Sequence, residues 1–339
     1  MSESHRRRPR WSSWLLSLMA VLGLGTAPAH ALPLTPLAPQ DSLEAVGQVG
    51  PTIVDIDAKL GYQSAVGAGT GIAIGPSTVL TNNHVVAGAT ELTARSISSG
   101  QTFPATVIGY DRSHDIAVLQ LAGGGLQPAN IGNSDTVSVG EPIVSLGNAG
   151  GVGGTPSAVD GRVVGLNQTV SAADALTGST ETLNGLIQVD AAIRPGDSGG
   201  PTVNAANQVI GMNTAASDNF HLGRGQGFAI PINEAMAIAG QIRGGGSPTV
   251  HIGPTAFLGV GVNDAAGGAG AVVKQVIPTG PAAGAGLTPG EVINSINGQP
   301  VNSATALTAI LDQHHPGDNV SVGVGGRTVN VTLADGPPG

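Results

Sequence analysis

The chain has 339 residues, no cysteine and a net charge of −9. Disulfide staples and thiolate chemistry are therefore excluded, and with no basic run beyond the first ten residues nucleic-acid binding is disfavoured. Apolar residues reach 40%, enough for substantial cores, while 54 glycines point to many tight turns joining short strands in two or three domains.

Residues 1–31 read as an export signal. Arg6, Arg7, Arg8 and Arg10 precede an apolar stretch from Trp14 to Leu24, and Ala27-Pro28-Ala29 and Ala29-His30-Ala31 are both small-x-small cleavage patterns. That stretch is well short of the roughly 20 residues needed to span a bilayer. The expected destination is outside the cytoplasmic membrane: secreted, periplasmic or held at the cell wall. Residues 32–45 are proline-rich and are expected to form a flexible leader.

Over 46–243 the pattern is of short β-prone runs. Ile53 to Ile56, Gly69 to Ile74, Thr78 to Thr81, Ala105 to Tyr110 and Ile116 to Leu121 form one set. Ile143 to Leu146, Gly161 to Gln168, Leu186 to Val189, Gly200 to Val203, Val209 to Asn213 and Gly227 to Pro231 form a second. Two runs of about six strands predict two packed β-barrels. A helix is expected over Ile232 to Arg243 with Asn233 as its N-cap. Residues 244–254 read as a linker, with Gly244-Gly245-Gly246-Ser247-Pro248 as a hinge. Beyond it, 255–335 predicts a small α+β unit, with strands at Phe257 to Val262, Ala271 to Val276, Val292 to Ile296, Val320 to Val324 and Thr328 to Leu333, and a helix over Ser303 to Gln313.

Three motifs carry chemistry. Thr81-Asn82-Asn83-His84-Val85-Val86, then Arg112-Ser113-His114-Asp115-Ile116-Ala117, then Arg194-Pro195-Gly196-Asp197-Ser198-Gly199-Gly200-Pro201 present a base, a carboxylate and a nucleophile in that order. A serine hydroxyl needs a neighbouring base. His84 suits that task because imidazole titrates near neutrality, and Asp115 can fix its tautomer. The glycines let the backbone of Gly196, Asp197 and Ser198 close around a developing oxyanion. With His84 and Asp115 on the first barrel and Ser198 on the second, the cleft falls between them. The motif also fits the Gly-x-Ser-x-Gly elbow of α/β-hydrolases, but there the acid and His follow the Ser. Here His221, His251 and the His314-His315 pair lie in no comparable context. No metal site and no cofactor are expected.

The His, Asp, Ser order and its flanks resemble the trypsin-like serine proteases of the HtrA/Deg branch. Asp190-Ala191-Ala192-Ile193, Gly211-Met212-Asn213-Thr214-Ala215 and Gly227-Phe228-Ala229-Ile230-Pro231 are similar to segments of that branch. Over its whole length the chain also resembles the PepA-type group of secreted proteases. Phe257-Leu258-Gly259-Val260 resembles the carboxylate-binding loop of PDZ domains. The resemblance implies an all-β, chymotrypsin-like double β-barrel protease followed by a small α+β PDZ domain, with assembly often as a homotrimer.

It further implies a serine endopeptidase with His84, Asp115 and Ser198 as catalytic residues. Gly196, Asp197 and Ser198 would form the oxyanion hole. Ala192, Ile193, Asn213, Thr214, Ala215, Gly227 and Phe228 would bind substrate, with Asn213 or Thr214 also supporting Asp115. An uncharged Ala192 at the base of the specificity pocket implies cleavage after small or medium aliphatic residues, because a buried Lys or Arg would lack a partner. Partners would be protein or peptide substrates, and C-terminal peptides held at Phe257, Leu258, Gly259 and Val260. One departure stands out: Asp197 occupies a position where the branch usually has Asn, and pairing with Arg194 or Arg224 is expected. The alternative is a protease-fold chaperone or scaffold that binds unfolded chains with little catalysis.

Overall fold

Short runs of β-branched and small residues, broken by glycine, form the frame in this computed structural model, which describes residues 39–173, 180–214, 227–247 and 249–338. Residues 1–31, expected to be an export signal, and residues 32–38, Ala215, His221 and Arg224 lie outside the described residues. A helix α1 (Pro39–Val49) precedes strands β1 (Ile53–Leu60), β2 (Ala65–Ala73), β3 (Thr78–Thr81), β4 (Glu91–Ser96), β5 (Thr102–Asp111) and β6 (Ile116–Leu121). They run in the order β5-β4-β1-β2-β3-β6, and pairing of β5 with β6 closes the ring. A single helical turn, α2 (Asn83–Val86), leaves β3. Strands β7 (Pro142–Gly147), β8 (Ser157–Ala173), β9 (Thr180–Val189), β10 (Pro201–Asn204), β11 (Val209–Thr214) and β12 (Gly227–Pro231) close a second barrel, in the order β10-β11-β12-β9-β8-β7. The double barrel expected from the sequence is therefore present.

Several local expectations change. The sequence reading places no strand at β4, of whose inward residues Leu92, Ala94 and Ser96 only Leu92 is a large apolar side chain able to signal a core face. Residues 39–45, expected within a flexible leader, begin α1. Ala45 and Val49, four apart and so on one helix face, are 1% and 3% exposed. They pack in one cluster with Val170 of β8 and Leu183 of β9. The second barrel's hairpin thus supplies the apolar partner that a short helix needs to persist.

Helix α3 (Ile232–Gly244) follows β12 directly. Asn233 is not its N-cap: Pro231 holds that position, and Asn233 Nδ2 donates to Asn133 Oδ1 at 2.7 Å. The linker beyond the expected hinge is fastened to the first barrel. Its strand β13 (His251–Ile252) pairs antiparallel with Tyr110 and Gly109 of β5. A side chain at Gly109 would meet the His251 carbonyl and Ile242 at 2.7 Å, so only glycine allows that close approach.

The third unit pairs β14 (Thr255–Phe257) with β21 (Ala334–Gly336). Its main sheet comprises β15 (Val260–Asp264), β16 (Ala271–Val276), β17 (Val292–Ile296), β19 (Asn319–Val324) and β20 (Arg327–Thr332), with β18 (Gln299–Pro300) beside β17. A short turn of helix, α4 (Pro281–Gly284), and α5 (Ala304–Leu311) cover it. Ser303 caps α5 by accepting the Ala306 amide at 3.0 Å. The single strand expected over Phe257 to Val262 breaks at Leu258-Gly259, where Gly259 takes φ 82°. That break leaves β15 as an edge strand.

Candidate active site

Asn82 leaves β3 in an extended conformation and α2 starts at Asn83, which turns His84 toward β6. Asp115 stands at the end of a tight turn, Arg112–His114, with φ 56° and ψ 44°. This left-handed conformation is uncommon for a residue other than glycine. It is held by Asn82 Nδ2, which donates to the Asp115 carbonyl at 3.0 Å, and by the Asp115 amide, which donates to the Arg112 carbonyl at 3.2 Å.

The Asp115 carboxylate then meets four donor contacts. Oδ1 accepts the His84 backbone amide at 3.0 Å, and His84 Nδ1 lies 3.0 and 2.9 Å from Oδ1 and Oδ2. Thr214 Oγ1, from β11 of the second barrel, donates to Oδ2 at 2.7 Å. With a carboxylate on that side, His84 carries its hydrogen on Nδ1, leaving Nε2 as the nitrogen able to take a proton. Of the two residues expected to support Asp115, Thr214 does so. Asn213 is turned into the second barrel, where its Nδ2 donates to the Leu146 carbonyl at 2.9 Å.

Ser198 sits on a turn wedged between the barrels. The Thr70 amide donates to the Ser198 carbonyl at 2.8 Å, and the Gly199 amide to the Asn213 carbonyl at 2.9 Å. A side chain on Gly199 would fall 2.1 Å from the Thr70 carbonyl and 2.4 Å from Thr81 Oγ1. Gly199, the residue after the serine, is therefore pressed against the strand end from which His84 departs and tied to the residue preceding Thr214, while Ser198 itself is held by the Thr70 amide.

Upstream, Arg194-Pro195-Gly196-Asp197 forms a turn closed by the Asp197 amide on the Arg194 carbonyl at 2.9 Å, with Gly196 at φ 96°. The Pro195 carbonyl accepts from the Gly150 amide at 2.7 Å. Because a trans peptide points its N–H opposite its C=O, the Gly196 N–H faces away from Gly150. Thr70 Oγ1 donates to the Gly196 carbonyl at 2.7 Å and accepts the Asn148 amide at 2.9 Å. Among the described residues no backbone hydrogen bond occupies the amides of Gly196 and Ser198, so both can serve an oxyanion, whereas the Asp197 amide, expected beside them, is taken by the Arg194 carbonyl.

Of the two arginines expected to pair with Asp197, Arg224 lies outside the described residues and Arg194 makes no side-chain hydrogen bond to it. The Asp197 carboxyl takes the Ser157 hydroxyl at 2.6 Å and the backbone amide of Arg194 at 2.9 Å, while the exposed Arg194 guanidinium acts only through its field. Gly147 makes this possible, since a side chain there would strike the Asp197 backbone at 2.5 Å. Ser157 Oγ also lies 3.0 Å from the Gly147 carbonyl. Burial holds the Asp197 carboxyl above its ordinary range, with the Ser157 and Arg194 hydrogen bonds opposing.

Of the other expected contacts, Ile193 is 7% exposed and lies flush against Gly227, where a side chain would meet Ile193 Cδ1 at 2.5 Å. Ala192 is half-buried beside it. The Phe228 side chain, expected to bind substrate, is instead buried in a core cluster with Leu186, Met212 and Ile230. Phe257 faces the first barrel and stacks on Tyr62 with centroids 5.2 Å apart. Leu258 is buried in the core of its own unit. Sequence reasoning missed Thr70, Gly147 and Ser157. The Gly69-Thr70-Gly71 pattern, small on both sides of a hydroxyl, was the signal available for the first.

A buried acid lies behind the loop that walls this turn. Asp55 on β1 neighbours Arg95 on β4, and its Oδ2 has no hydrogen-bond partner among the described residues. Burial pushes its carboxyl up to about 6, with Arg95 opposing. The fold thus favours the neutral form. This contribution is present below the ordinary carboxylate range and is lost as pH rises through about 6. Asp55→Asn is expected to raise Tm by about 2–4 °C at pH 8 and hardly at all at pH 4. Thermal melts at the two pH values check this, and equal shifts would contradict it.

A trypsin-like peptidase domain matches residues 69–212 and a PDZ domain matches residues 256–334. The serine protease PepD of Mycobacterium tuberculosis is 37% identical over 333 residues, covering 91% of this chain and 70% of PepD. The chain belongs to the HtrA family of trypsin-like serine proteases. The periplasmic serine endoprotease DegP of Escherichia coli is 36% identical over 281 residues, which are 79% of this chain and 56% of DegP. This HtrA-family chain therefore spans little more than half of that relative's length. Among solved structures, the HtrA-type protease AlgW with a tripeptide aligns at a TM-score of 0.52 and 30% identity, over 87% of this chain and 97% of that one.

Proposed function

We infer that this family member is an exported serine endopeptidase in which Ser198 attacks the peptide carbonyl and His84 takes its proton. Asp115 keeps His84 in the required tautomer and balances the imidazolium that forms. The amides of Gly196 and Ser198 stabilise the anion, His84 then protonates the leaving amine, and water releases the acyl group. The observation that carries this reading is the Asp115 carboxylate, gripped at once by His84 of the first barrel and Thr214 of the second.

Ile193 against Gly227 supports a shallow, uncharged specificity pocket, hence cleavage after Ala, Val, Leu or Ile. The free edge of β15 beside α5, with Gly259 in a left-handed turn, supports strand addition by a C-terminal peptide. Among the described residues the amides of Leu258 and Gly259 donate to no other group, which suits a terminal carboxylate.

A library of unstructured peptides, cleaved by the wild type and by Ser198→Ala, tests the reading. Cleavage after small aliphatic residues is expected, lost by several orders of magnitude in the variant. Retention of cleavage by Ser198→Ala, or a preference for Lys or Arg, would refute it. Ile193→Ala should deepen the pocket and raise the ratio of kcat/KM for Phe over Val by about tenfold or more. An unchanged ratio would remove Ile193 from the pocket.

A further inference from the structure

The turn that ends at Asp115 is gripped from outside the protease barrels. Asp312, the residue closing α5 of the PDZ domain, accepts from Arg112 Nη2 at 3.1 Å and Nε at 3.3 Å through Oδ2. Its Oδ1 accepts from Tyr110 Oη at 2.8 Å and from Arg112 Nη2 at 3.4 Å. The pair is not an open surface contact: Arg112 and Asp312 side chains are only 23% and 19% exposed. The His251 ring stacks on Tyr110 at 5.0 Å, and its Nδ1 lies 2.8 Å from the Asp312 carbonyl. The Arg112 guanidinium sits 5.9 Å over the Tyr110 ring. A forked guanidinium held by a carboxylate and an aromatic face has little freedom left.

Arg112 is also the first residue of the turn whose last member is Asp115, and its carbonyl receives the Asp115 amide. A left-handed aspartate persists only where its surroundings over-determine it. The linker adds Thr249 Oγ1, which donates to Asp111 Oδ2 at 2.9 Å, while Asp111 caps the same turn through the His114 amide. We propose that Asp312 of the PDZ domain is a positioning residue for the protease site, acting through Arg112 to hold the turn that presents Asp115 to His84. This rests on the reading of Asp115 given above. The PDZ domain then completes the protease site in addition to any peptide it binds. Because α5 packs on β15, the expected peptide groove and the Asp115 turn share one helix.

A double-mutant cycle on the full chain tests this, using Arg112→Ala, Asp312→Ala, the double variant and the exchange Arg112→Asp with Asp312→Arg. Each single variant is expected to lower kcat by about tenfold for a short peptide too small to reach the PDZ domain, with KM unchanged. The double variant should be no worse than either single one, and the charge exchange should recover most of the rate. Wild-type kcat in the single variants, or losses that multiply in the double variant, would overturn the proposal. Asp115→Asn, assayed alongside, separates two failures. If it is inactive while Arg112 and Asp312 are inert, only the positioning role falls; if it is active, the underlying reading falls.

Discussion

Asp115→Asn is expected to lower kcat by about 10⁴-fold with little change in KM for short peptides. The carboxylate accepts the His84 amide and the Thr214 hydroxyl on different oxygens while both oxygens face His84 Nδ1. A carboxamide offers one accepting oxygen. If that oxygen keeps the His84 amide, the new NH₂ group faces Nδ1 or Thr214 and drives the imidazole toward the tautomer with its hydrogen on Nε2. That nitrogen can no longer take the serine proton. Steady-state kinetics on a chromogenic peptide measure the loss, and an unchanged circular dichroism spectrum and Tm exclude unfolding. A fall of less than tenfold would mean that Asp115 does not set the tautomer.

Gly196→Ala should also be strongly damaging, though less so, by about 10²–10³-fold in kcat. An added Cβ would lie 2.1 Å from the Asn148 carbonyl and 3.0 Å from the Gly150 and Gly151 amides, at a φ of 96° that side chains rarely adopt. Relief requires the Pro195–Gly196 peptide to rotate, which withdraws the Gly196 amide from the oxyanion site. Affinity for a peptide boronate, which mimics the tetrahedral anion, should fall in parallel while KM stays close to wild type. Gly253→Ala, with φ 82° and nothing within 4 Å, supplies a strained control remote from this turn. Equal effects of the two substitutions would point to general strain.

The sequence made the barrels and the three chemical motifs legible because each is local: β-branched runs alternate with turn residues, and each motif sits beside its strand. What joins them is not local. Thr214 reaches Asp115 across 99 positions, and Thr70 reaches Gly196 across 126. Nothing in either segment names its partner. The Asp197 case is instructive. Charge logic points to an arginine, yet among the described residues the buried acid's hydrogen bonds come from a neutral hydroxyl and a backbone amide, a pairing that depends on the space left by Gly147. Likewise the family resemblance implies that Phe228 lines the pocket, but strand alternation turns its ring into the barrel beside a Gly227 that faces Ile193. The linker glycines do signal a break after α3, but the short β13 that refastens the chain to β5 is too brief to register as a strand.

If side chains from two barrels act as one unit, the hydroxyl of Ser198 is reactive only because His84 can take its proton. Labelling with a fluorophosphonate, followed by peptide mapping, tests it most directly. One adduct is expected, on Ser198, forming in the wild type and slowed by at least about 10³-fold in His84→Ala. An adduct on another residue, or labelling of Ser198 at the wild-type rate without His84, would contradict the account.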